Sequence, residues 1–122
     1  MSVREKVIAF IQKQQEGRFR VINNTGADKR IIAGQFPDII FLQKEPPPNN
    51  NILFVLKVEN GGNLVDSVPV WKALGGAPNT FYIVVSVDRL DEAKKLASAT
   101  DVKAKFAWYK VVGEDVTQVN YE

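Results

Sequence analysis

The sequence contains neither cysteine nor histidine in its 122 residues. Without cysteine there is no disulfide framework and no thiolate zinc site. Without histidine the commonest metal ligand and general base is missing. Ser-His-Asp, Cys-His and His-ligated zinc chemistry are therefore excluded together. What remains is carboxylate, lysine, tyrosine and hydroxyl chemistry, and carboxylates favour hard ions such as magnesium or manganese. Long apolar runs are lacking too: none approaches the roughly 18 residues of a membrane span, and the opening Met-Ser-Val-Arg-Glu-Lys has no secretory apolar stretch. We expect a cytoplasmic, soluble chain with no membrane partner.

Positive charge is in only small excess, with a formal net charge of +2. That total implies no particular partner, but its distribution is uneven. Arg4, Lys6, Lys13, Arg18, Arg20, Lys29 and Arg30 crowd the first quarter. Such a surface could meet phosphate, or serve only as a solvated face. The length fits one domain over 1–122, able to bury a core without metal or disulfide staples. A composition 45% hydrophobic and 25% charged is that of an ordinary globular protein.

Along the chain, Ser2-Val3-Arg4-Glu5 has the form of a capping box, and the apolar spacing that follows predicts a helix from Ser2 to Glu16, ended by Gly17. Arg18–Ile22 alternates as a strand, with Phe19 and Val21 on one face. The polar loop from Asn23 to Ala27 reads as turn chemistry, with a substrate-facing loop as the alternative. A second strand is expected over Phe36–Leu42, Pro37 confined to its start. The Pro- and Asn-rich segment from Gln43 to Asn51 reads as a hairpin tip, or less simply as a proline-rich ligand.

Ile52–Glu59 is the most apolar strand and is expected near the sheet centre. Alternation sets Lys57 and Glu59 on one face, about 7 Å apart along the strand. Asn60–Asn63 is a turn whose glycines lack the lysine and hydroxyl of a phosphate loop. Asp66 or Ser67 should cap a short helix through Leu74, with Trp71 and Leu74 inward and Gly75-Gly76 as its stop. Thr80–Ser86 reads as a second buried strand, and Asp88 as the cap of a helix through Ser98. Val102–Val112 completes the core, Phe106 and Trp108 sharing a face. Residues 113–122 are expected as a peripheral strand or a flexible tail.

Three charges stand out because they interrupt apolar strands: Asp38, Lys57 and Glu59. A buried ionisable group is costly unless it is paired or binds a metal. Structurally, Asp38 and Glu59 would sit at wet strand ends with Lys57 pairing to one of them. Chemically, they would form a site.

The order helix, three strands, helix, strand, helix, strand (αβββαβαβ), with Pro37-Asp38 before one strand and a charged pair ending the next, resembles the PD-(D/E)XK nuclease-like superfamily. The resemblance implies an α/β, restriction-endonuclease-like three-layer core, with a central mixed sheet of about five strands flanked by helices. It implies magnesium or manganese held by carboxylates, a lysine acting on the attacking water, a nucleic-acid partner and a homodimer. Where that family has acidic-x-lysine, this chain has Lys57-Val58-Glu59. The ammonium thus falls where a metal-binding carboxylate is expected and repels the ion. Three readings follow. The first is a degenerate, inactive nuclease-like domain binding nucleic acid or protein, with Lys57 in a structural ion pair. In the second, the chain is an active endonuclease or resolvase-like phosphodiesterase with Asp38 and Glu59 on the metal and Lys57 or Lys72 in the lysine role. The third is a small α/β interaction domain unrelated to nucleases.

Overall fold

The computed structural model describes residues 2–25, 30–44 and 51–122. It is an α/β fold built on one six-stranded mixed sheet, with strands in spatial order 1-2-3-4-5-6. Helix α1 (Val3–Gln15) precedes an antiparallel meander of β1 (Phe19–Asn23), β2 (Ile39–Gln43) and β3 (Ile52–Val58). A 3₁₀ turn (Leu64–Ser67) and α2 (Val68–Gly75) lead to β4 (Thr80–Ser86), parallel to β3. A second 3₁₀ turn (Val87–Arg89) and α3 (Leu90–Ala99) lead to β5 (Lys105–Val112), parallel to β4. The chain then reverses at Gly113, whose φ of +65° suits glycine, into antiparallel β6 (Asp115–Tyr121).

Period-two alternation distributes the apolar residues over both faces of the sheet and creates two cores. On one face Ile39, Phe41, Leu56, Val58 and Val84 pack under Val7, Ile8 and Ile11 of α1. On the other, Ile40, Val55, Ile83 and Val85 pack under Trp71 and Leu74 of α2 and Ala93 and Ala97 of α3. The result is three layers, helix on sheet on helices. The α/β class and the mixed sheet are as expected, and the sheet has six strands where about five were expected, the sixth from within residues 113–122.

Local details depart from the sequence reading in instructive ways. The α1 cap is as expected: the Ser2 hydroxyl accepts from the Glu5 amide at 3.1 Å and donates to the Glu5 carboxylate at 3.2 Å. Ser67, by contrast, makes no cap bond for α2, and Asn63 caps the preceding 3₁₀ turn through the Val65 amide. Asp88 lies inside the second 3₁₀ turn, and α3 starts after Arg89 with no side-chain cap. Gly75 is the last residue of α2 instead of its stop. A Cβ there would lie 2.5 Å from the Lys103 carbonyl oxygen, so glycine is needed for close backbone packing. Asn24, from the polar loop, is buried and ties it down, donating to the Arg30 and Pro37 carbonyls and accepting from the Arg30 amide. That is a structural use of its amide. Gly26 and Ala27, and residues 45–50 of the expected hairpin tip, lie outside the described residues. The antiparallel pairing of β2 with β3 is as the hairpin reading requires.

Strand β6 carries a pH consequence. Burial pushes the Tyr121 phenol up to about 12, and Tyr82 adds a smaller upward push. The unfolded chain ionises this group near pH 10, so stability is complete below that and falls as pH rises toward 12. Alkaline denaturation should show a loss of up to about 2 kcal/mol in that window, after discounting for partial exposure. Tyr121→Phe should flatten that part of the curve, and an unchanged curve would assign the loss elsewhere.

Candidate functional site

The start of β2 and the end of β3 lie side by side and carry the three charges that interrupt the apolar strands. Asp38 lies one residue before β2, because its side chain takes over the strand's work. Its backbone amide donates to the Leu56 carbonyl at 2.9 Å, continuing the ladder. Its carboxylate Oδ2 accepts from the Val58 amide at 2.7 Å, a donor that the departing β2 backbone no longer satisfies. This placement suits Pro37, which has no amide to contribute. The carboxylate is 1% exposed and has a cation on either side. The Arg4 guanidinium, from the first turn of α1, donates to Oδ1. Lys57 Nζ stands 3.6 Å from Oδ2.

Glu59 follows β3 and is also buried, at 8% exposure. Its amide donates to the Val84 carbonyl at 2.8 Å, extending the pairing with β4. Its side chain turns to α2 and the turn before it. Oε1 accepts from the Trp71 indole at 3.1 Å, and Oε2 from the Ser67 hydroxyl at 3.0 Å. The Glu59 carbonyl accepts from the Tyr109 hydroxyl of β5 at 2.9 Å. Burial raises the Tyr109 phenol above its ordinary value, and the negative charge of Asp88 adds to the shift while Arg89 opposes it. Asp88 itself is held below the usual carboxylate range by the Ser86 side chain.

The four residues singled out by sequence are thus distributed unequally. Asp38 and Lys57 form an ion pair, and Glu59 is engaged by neutral donors from α2 and its lead-in. Lys72 is exposed on α2 and enters no ion pair among the described residues. Among the described residues no group of three or more carboxylates gathers to hold a metal ion. A carboxylate flanked by guanidinium and ammonium offers a divalent cation little net attraction. One with both oxygens hydrogen-bonded offers it fewer free lone pairs.

Sequence reasoning missed Arg4, Ser67 and Tyr109 as members of this cluster. One signal for Arg4 was available. A cation in the first turn of a helix opposes the macrodipole, so its presence there calls for a tertiary anion. Ser67 was legible only as a cap, because its partner eight residues earlier is reached through a turn. No protein-family model, curated protein or solved structure matches this chain. Among the described residues no helix is long and apolar enough to cross a membrane.

Proposed function

We propose that this chain is a non-hydrolysing domain of the restriction-endonuclease-like kind that binds nucleic acid. The observation carrying this reading is the closed state of Asp38, whose oxygens are shared between Arg4, Lys57 and the Val58 amide. The residue that should lead metal chemistry instead binds the last amide of β3 and anchors α1. The three-layer arrangement and the order of elements support the kinship. For binding, support comes from the basic first quarter. Arg20 is exposed on the edge strand β1, and Arg18 is exposed just before it.

Fluorescence anisotropy and a cleavage assay on the same sample test this reading. DNA binding should persist without divalent ions and fall steeply with salt. Neutralising Arg18 and Arg20 together should reduce the log–log salt slope by about 2. No cleavage of DNA or RNA is expected with magnesium or manganese. Cleavage that disappears in Asp38→Ala would instead establish the metal-dependent phosphodiesterase, with Asp38 and Glu59 as ligands. Absence of binding at low salt would leave the protein-interaction reading.

A further inference from the structure

A second feature lies on the α1 face of the sheet, at the end away from Asp38. Five strands each contribute one ring: Phe19 from β1, Phe41 from β2, Phe54 from β3, Tyr82 from β4 and Tyr121 from β6. Their centroids follow one another at 5.2 to 6.0 Å, Phe19 and Phe41 stacked and the remaining contacts edge-on. Helix α1 stops at Gln15 and leaves this row only partly covered. Phe41 alone is buried. Between the helix end and the rings is a cavity of about 220 Å³, also lined by Gln15 and Arg18. What sets this opening apart from the other hollows on the surface is its lining, five aromatic rings beside one guanidinium.

The charged side chains that line the opening and the hollow beside it are cations. The Arg18 guanidinium carbon stands 5.5 Å from the Phe19 ring centre, and no carboxylate pairs with it among the described residues. Lys105, exposed, is the register partner of Tyr82 on β5. An adjoining hollow shares Arg18 and Phe19 and adds Lys44. Among the described residues no acidic side chain lines either space. An apolar side chain would need the rings but not the cations, and a bare phosphate the cations but not the rings. A planar base carrying phosphate uses both, by stacking and by charge. The cavity suits one ring system, and bases stacked within a duplex could not enter it.

We propose that this cleft takes one unpaired nucleotide, its base among Phe19, Phe54, Tyr82 and Tyr121 and its phosphate on Arg18. The proposal rests on the nucleic-acid-binding reading and specifies the form of nucleic acid bound, whether a single strand or a free nucleotide supplies it. Titrations of the full chain with AMP, UMP, an oligothymidylate of about eight nucleotides and a matched duplex test it, followed by anisotropy and by ring-proton NMR shifts. The single strand should bind in preference to the duplex and shift the Tyr82 and Tyr121 ring signals. Arg18→Gln, an exposed change, and Tyr82→Leu should each weaken binding about tenfold, while Lys95→Gln on α3 should not. Ring shifts with AMP or UMP and competition with the oligonucleotide would assign the site to a nucleotide end. Shifts with mononucleotides alone would keep the cleft and remove the nucleic-acid function. Equal binding of duplex and single strand with unmoved ring signals would overturn the cleft and leave that function standing. If neither nucleotides nor oligonucleotides bind at low salt, both proposals fall.

Discussion

Asp38→Ala is expected to unfold at lower urea concentration, with a loss of about 3 kcal/mol. The change removes the carboxylate that accepts from the buried Val58 amide, and leaves Arg4 and Lys57 facing one another without that anion. Breaking a fully buried pair costs about 3 to 5 kcal/mol, but the Arg4 side chain is 42% exposed, so its share is screened. Asp38→Asn keeps an acceptor for Val58 and should lose about half as much, separating the hydrogen bond from the charge. The sign of the effect matters more than its size. In a site where carboxylates converge for a metal, removing one relieves repulsion and stabilises the metal-free protein. A stabilised Asp38→Ala would therefore contradict the ion-pair account, and a Lys57→Met partner in a double-mutant cycle would show which cation carries the coupling.

Trp71→Ala should be more damaging still, at about 4 to 5 kcal/mol, because the side chain is wholly buried and is the largest in its core. Part of that loss belongs to Glu59. Trp71→Phe retains most of the ring volume but removes the indole donor, leaving Oε1 of a buried carboxylate without its partner at a cost of about 1 to 3 kcal/mol. Thermal and urea denaturation of both variants measure the split. A Phe variant as stable as the parent would mean that Glu59 finds another donor, such as water.

What the sequence revealed and what it concealed follows from how local each interaction is. The α1 cap, the alternation in β3, the buried run of β4 and the inward side of α2 depend on residues within a few positions of one another, and each is present in the fold. Strand β6 was only half legible, because an edge strand buries little. Of its seven residues only Val119 is buried, so its pattern resembles that of a tail. The charges of Asp38, Lys57 and Glu59 were recognisable as costly, but their partners were not. Arg4 is 34 residues from Asp38, and Trp71 meets Glu59 only after a turn and a helix have been placed. Periodicity locates a buried charge, but it carries no information about which distant donor satisfies it.

The Tyr109 hydroxyl, finally, joins β5 to the Glu59 carbonyl at the end of β3, two strands away, while the Glu59 amide is held by β4. Three strands are therefore fastened at one residue. Opening β3 or β5 at this end breaks a bond to the other, so the fraying of the three parallel strands is coupled.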